Sequence, residues 1–271
     1  MYKMIAIDLD GTLLTDELII PPGTVKAIQK AVELGTIVTI ATGRMFTSAK
    51  PFAKQLGLNV PLITYQGAII KDVDEIEVMY ERLIPPYIAY KLIDISHEKN
   101  LHLQVYQDDI LYSPSENKKL LDYVEMAKVP YKIEPDLTKI AGRGFTKALF
   151  IEDSDCLDSL QDELRTSFGE QAHIAKSKAT FLEVTHPEAN KASALLYLAQ
   201  KLGIHQSEII GIGDNHNDLE LIKTAGLGIA MGNGVKELKE IAEYISLTNN
   251  EEGVRHVIEK FILEPLDTII K

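Results

Sequence analysis

The sequence predicts an α/β protein: a parallel sheet flanked by crossover helices, with a second, α+β module inserted into it. Two observations carry this. Short apolar runs alternate with segments of helical spacing up to about residue 82, and again from about residue 188. That alternation is the signature of parallel strands joined by helices. Between 83 and 187 the alternation gives way to a hairpin-like pair and further strands, so the domains read as 1–82 with 188–271 for the core and 83–187 for the insert. Pro85-Pro86 and Pro187 stand at the two crossings, where proline's fixed φ suits a stiff linker.

The elements follow in order. Tyr2–Ile7 is mostly apolar and bounded by Asp and Gly, a short buried strand. Thr24–Leu34 carries Val25, Ile28, Ala31 and Val32 at helical spacing and stops at Gly35. Ile37–Ala41 is a second strand, rich in β-branched residues and broken by Thr42-Gly43. Arg44–Leu56 reads as a helix ended by Gly57, and Leu62–Tyr65 as a third strand of the same sheet. In the insert, a helix near Tyr87–Lys99 precedes Leu101–Gln107 and Ile110–Tyr112, which flank Asp108-Asp109 like a hairpin. Thr146–Ile151 and Ala179–Val184 add strands around a helix near Asp155–Phe168. The core resumes with a helix at Asn190–Leu202, a strand at Glu208–Gly213, a helix at Asp218–Ala225 and a strand at Leu227–Ala230. A helix at Lys236–Ala242, a short strand at Tyr244–Ser246 and a helix at Gly253–Phe261 complete it.

Composition narrows the function classes. Of 271 residues, 45% are hydrophobic and 25% charged, an ordinary globular balance. A net charge of −12 disfavours nucleic acid and anionic membranes as partners. The single cysteine, Cys156, excludes an intrachain disulfide. With acids where a signal peptide's apolar stretch should be, in "MYKMIAIDLD", the expected location is cytoplasmic.

Four polar clusters end a predicted strand or open a helix: Asp8-Leu9-Asp10, Thr42-Gly43-Arg44, Asn190-Lys191, and Asp214 through Asp218. Each alone is an ordinary turn or cap. Together they fall where open parallel sheets bind ligands, outside the carboxyl ends of the strands. Asp8, Asp10 and Asp214 meeting at one edge would repel unless a cation sat among them. A few hard oxygen donors suit Mg²⁺, which keeps several waters and shares a phosphate oxygen. A carboxylate can then attack phosphorus while a second acid manages protons, and a hydroxyl, backbone N–H groups and a lysine serve the phosphoryl oxygens.

"DLDGTLL", "ATGR", "NKASAL" and "GIGDNHNDLEL", in that order, resemble the four motifs of the haloacid dehalogenase superfamily, and more closely its Cof-like, class IIB sugar-phosphate phosphatases. The resemblance implies a Rossmann-like core with a cap domain of the C2 type inserted between the second and third motifs. It implies Asp8 as nucleophile and Asp10 as general acid/base. Mg²⁺ would be held by Asp8, the Asp10 backbone carbonyl and Asp214, and the phosphoryl group by Leu9 N–H, Thr42, Gly43, Lys191 and Asn217. Arg44, Asn190 and Asp218 are further candidates, supporting the metal, the lysine or the substrate. Two positions depart from the pattern: Ala192 follows Lys191 where glycine is usual, and Gln66 stands where Asn-Gly is common. The expected activity is Mg²⁺-dependent hydrolysis of a small phosphorylated metabolite. A phosphomutase with the same intermediate and a receiver-like phospho-acceptor are the rival readings.

Overall fold

Met4–Ile7 (β1) is buried along its whole length, because its four apolar side chains meet helices on both faces of the sheet. The structure, a computed structural model, describes residues 2–74 and 78–264. A helix at Pro22–Glu33 (α1) leads to Ile37–Ile40 (β2). Pro22 sits in the first turn, where no N–H is needed, and Ala27, Ile28 and Ala31 form the inward stripe. The helix expected from Arg44 begins at Phe46 and ends at Leu56 (α2), since Met45 is extended; Gly57 at φ 72° caps it.

Leu62–Thr64 (β3) is not a full strand of the parallel sheet as the sequence suggests. A single bridge, Ala41 to Ile63, joins it to the end of β2. It pairs antiparallel with Ile69–Lys71 (β4), and Val78–Glu81 (β5) completes that three-stranded sheet. The cause is the reversal at Tyr65–Gly67, which turns the chain back before a crossover can form.

The chain divides into one unit of Met1–Tyr80 with Asn190–Lys271 and another of Glu81–Ala189. The second unit opens with a helix, Pro86–Glu98 (α3), and a hairpin of Leu103–Gln107 (β6) and Ile110–Ser113 (β7). Asp108 and Asp109, at φ 52° and 58°, make the left-handed turn that matches strand twist. A helix at Lys118–Ala127 (α4) leads to Tyr131–Ile133 (β8), then come Lys147–Ile151 (β9), His173–Lys178 (β10) and Phe181–Thr185 (β11). They form one sheet in the order β10-β11-β9-β6-β7-β8. The helix at Ser154–Phe168 packs Leu157, Leu160 and Leu164 into the same core as Val105, Phe150 and Val184.

The first unit resumes with Lys191–Lys201, then Ile209–Gly213 (β12), Leu227–Ala230 (β13) and Tyr244–Ile245 (β14). Among the described residues its main sheet has the order β14-β13-β12-β1-β2, with every pair parallel. Strand order therefore reverses at β1. The crevice beyond the carboxyl ends of β1 and β12 is the topological switch point, where sheets of this kind bind ligands. No described helix is long and apolar enough to cross a membrane.

Candidate active site

Asp8 is the first residue past β1, and its N–H donates to the Ile212 carbonyl at 3.0 Å, so the carboxyl group leaves the sheet beside the end of β12. Asp214 leaves β12 at the same level. Between them the chain turns at Gly11, whose φ of 80° suits glycine. A Cβ there would also lie 2.4 Å from Asp214 Oδ2, so the turn and the carboxylate leave no room for a side chain. The Thr12 hydroxyl donates to Asp214 Oδ1 at 2.8 Å.

Lys191 opens its helix just after Asn190, whose side chain caps the helix by accepting from Ser193 N–H at 2.8 Å. Its ammonium, 1% exposed, donates to Asp8 Oδ1 at 2.5 Å and to Asp218 Oδ1 at 2.6 Å. The other Asp218 oxygen accepts from the N–H groups of Asp214 and Asn215, each at 3.1 Å. Asp218 thus closes a capping box on its own turn and anchors the lysine.

Asp8, Asp214 and Asp218 present carboxylate oxygens within 4.8 Å of one another. Three carboxyl groups face one ammonium there, those of Asp8 and Asp218 buried and that of Asp214 partly exposed. Burial pushes the Asp8 carboxyl well above its ordinary 3.8, against the attraction of Lys191. Burial also lifts Asp214 to about 6, against the Thr12 hydrogen bond. Burial pulls on the Lys191 ammonium too, but Asp218 and Asp8 outweigh it, and its pKa lies above the ordinary 10.5. An all-oxygen donor set in which carboxyl groups outnumber the ammonium fits a divalent cation.

The other expected residues fall into two groups. Thr42, buried at the end of β2, accepts from Arg44 N–H at 3.1 Å, and Gly43 lies under the Gln66 amide. Asn217 donates to Gln66 Oε1 at 3.1 Å. Leu9 is fully buried between the two aspartates. The Asp10 carboxylate does not join Asp8 and Asp214 in the acidic cluster, where Asp218 is the third member; the metal ligand expected of Asp10 is its backbone carbonyl, which the pairing with Arg44 leaves unaffected. Arg44 holds both Asp10 oxygens, Nε to Oδ2 at 2.8 Å and Nη2 to Oδ1 at 2.5 Å, with its guanidinium over the Phe52 ring. The physical reason is charge. The cluster already carries excess carboxylate, whereas Arg44 offers a planar, bidentate partner at a half-exposed position.

Sequence reasoning missed the contacts made by Thr12, Gln66 and Asn233, whose Nδ2 donates to the Gly11 carbonyl at 2.7 Å. The D-x-D-G-T run and the Gln-Gly pair flag the first two; nothing local marks Asn233.

A family model of haloacid dehalogenase-like hydrolases matches residues 5–258. A 5-amino-6-(5-phospho-D-ribitylamino)uracil phosphatase of Bacillus subtilis, YcsE, is 32% identical over 261 residues, covering 96% of each chain. Among solved structures, TM0651 of Thermotoga maritima superposes with a TM-score of 0.89 at 35% identity, over 96% of this chain and 98% of that one. A haloacid dehalogenase-like hydrolase of Bacteroides thetaiotaomicron gives 0.90 at 28% identity, over 97% and 100%.

Proposed function

Because the chain belongs to the haloacid dehalogenase-like hydrolases and is a phosphatase, we propose that it is a Mg²⁺-dependent enzyme acting on small phosphorylated metabolites, sugar phosphates foremost, through an aspartyl-phosphate. The observation that carries this reading is the buried cluster at the switch point, with a second aspartate two residues from Asp8 and outside the cluster.

Asp8 is the nucleophile. The bond to Lys191 orients its carboxylate and keeps positive charge beside it. Its oxygen attacks phosphorus as the bond to the leaving oxygen breaks, and Asp10 gives that oxygen a proton. Asp10 then takes a proton from water, the water oxygen attacks phosphorus, and the Asp8–phosphorus bond breaks to release phosphate. Half exposure lets Asp10 exchange Arg44 for the reacting atoms. Thr42, Gly43 and the Leu9 N–H receive the phosphoryl oxygens, Lys191 balances their charge, and Asn217 closes the ring of donors. Asp8, Asp214 and the Asp10 carbonyl would hold Mg²⁺, with Asp218 bracing Asp214 through its backbone. Bound there, the ion supplies charge neutralisation for the phosphoryl oxygens.

These core groups serve the phosphoryl group and the cation. Choice among substrates is therefore assigned to the insert, 83–187, as the cap. The relative named above has a substrate with its phosphate on a ribityl chain, which supports a polyol or sugar phosphate here. A single cysteine suits a reducing compartment, and we place the activity in the cytoplasm.

The test is a panel of phosphorylated metabolites with Mg²⁺, reading inorganic phosphate, with Asp8→Asn and Asp10→Asn alongside. Asp8→Asn should form no phospho-enzyme. Asp10→Asn should be nearly inactive on alkyl phosphates yet retain slow turnover of p-nitrophenyl phosphate, whose leaving group needs no proton. Wild-type turnover in Asp8→Asn would refute the assignment, and a requirement for a bisphosphate activator without net phosphate release would make the enzyme a mutase.

A further inference from the structure

Tyr65, Gln66 and Gly67 lie in the left-handed region in succession, at φ 52°, 59° and 96°. Glycine adopts it freely, whereas other L-residues give up roughly 1–2 kcal/mol each. Such strain persists where the surroundings over-determine it, and it gathers at functional sites. Here the surroundings are the site. Tyr65 N–H donates to the Arg44 carbonyl and Gln66 N–H to the Thr42 carbonyl, each at 3.0 Å. Gly67 packs so closely on Asn190 that a Cβ would lie 2.2 Å from its carbonyl oxygen and 2.9 Å from Lys191 N. The Gln66 side chain completes the link: Oε1 accepts from Asn217 at 3.1 Å, and Nε2 covers Gly43, where a Cβ would stand 2.4 Å away.

One strained tripeptide therefore touches three of the four polar segments. Its only half-buried side chain spans from Gly43 to Asn217, which belong to the ends of β2 and β12 and share no strand contact. We propose that Gln66 is a positioning residue of the phosphoryl pocket, holding Gly43 and Asn217 at the separation that a phosphoryl group needs. This rests on the phosphatase reading above. A left-handed glutamine in a loop of no consequence would be replaced by glycine with a gain in stability. Its amide is what glycine cannot supply.

The test uses the full-length protein, p-nitrophenyl phosphate as substrate and inorganic phosphate as competitive inhibitor, with Gln66→Gly and Gln66→Glu as variants. Gln66→Gly should raise KM and the phosphate inhibition constant about tenfold, the size of one lost hydrogen bond, because the same groups hold the phosphoryl group in ground and transition states. Its kcat should stay within about threefold, and Tm within about 3 °C, since relief of strain is offset by the lost bond to Asn217 together with the added freedom of glycine. Gln66→Glu keeps the acceptor for Asn217 but sets a carboxylate over Gly43, so it should weaken phosphate binding more than Gln66→Gly does. A merely structural role would not produce that order. KM and phosphate inhibition within twofold of wild type in Gln66→Gly, or a fall in kcat and Tm without a change in KM, overturns the proposal while an active wild type leaves the phosphatase reading standing. A wild type that releases no phosphate overturns both.

Discussion

Replacing Lys191 by methionine removes the ammonium that bonds the buried carboxylates of Asp8 and Asp218. The side chain is 1% exposed, and its partners Asp8 and Asp218 are 6% and 0% exposed, so water cannot take its place. Deleting one partner of a buried pair costs about 3–5 kcal/mol, because the remaining charge is left uncompensated. In a chain of this size each kcal/mol is about 2–4 °C, so Lys191→Met should lower Tm by roughly 6–20 °C. The size lies in charge and not in packing, since methionine nearly matches the aliphatic stem. Asp218→Asn tests this directly. It removes one of the stranded charges, yet its amide oxygen can still accept from the N–H groups of Asp214 and Asn215. Lys191→Met with Asp218→Asn should therefore be more stable than the sum of the single changes, by at least about 1 kcal/mol of coupling. Calorimetry in a chelator, with no cation to substitute for the lysine, measures all four proteins. A Tm for Lys191→Met within about 2 °C of wild type, or strict additivity in the cycle, would refute the charge-compensation argument.

Three further predictions follow from the same geometry. Asp214→Ala should raise the Mg²⁺ needed for half-maximal activity at least about tenfold, the lower range for damage to a metal site, and a chelator should abolish wild-type turnover. Gly11→Ala, with its Cβ 2.4 Å from Asp214 Oδ2 and a φ of 80°, should displace that carboxylate and cost about 1–3 kcal/mol in urea unfolding; unchanged stability and Mg²⁺ dependence would contradict the close approach. The third concerns His102, which Asn117 Nδ2 meets at Nδ1 and Gln104 Oε1 at Nε2, while Asn117 Oδ1 is committed to capping α4. That arrangement suits a neutral ring, and burial holds its pKa below the ordinary 6.5, with Lys119 and Glu152 pulling in opposite senses. The unfolded chain then takes up the proton first, so this contribution to stability is present above pH 6.5 and is lost as pH falls from there through the folded-state value. Tm measured from about pH 7.5 to 5.5 should fall more steeply in wild type than in His102→Gln, and parallel curves would exclude the effect.

Much of the core was legible because parallel α/β architecture writes itself locally. Apolar four- and five-residue runs became β1, β2, β12 and β13 within a residue or two, and the Asp108-Asp109 turn marked its hairpin. The inserted sheet was read less well. His173–Lys178 alternates no clear apolar face, so it carries no periodic signal strong enough to read; Lys118–Ala127 does set Leu120, Val124 and Ala127 at helical spacing, although it buries only Leu120. The three-residue strands β3 and β4 depend on the reversal at Tyr65–Gly67, and Tyr65 and Gln66 are not residues from which a left-handed turn is read.

The order of the motifs by itself determined that Asp8, Thr42 and Asp214 would share an edge. Neighbouring parallel strands end on the same side, so a residue just past each strand is placed by topology alone. Tertiary structure decided what those residues then touch. Asp10 turned to Arg44, 34 positions away; Lys191 found Asp8 across 183 positions and Asp218 across 27; Thr12 reached Asp214 across 202; and Gln66 reached Asn217 across 151. Those pairings depend on which rotamers balance charge and hydrogen bonding in one buried volume. No local run of sequence holds that sum, because its terms come together only when the chain has folded.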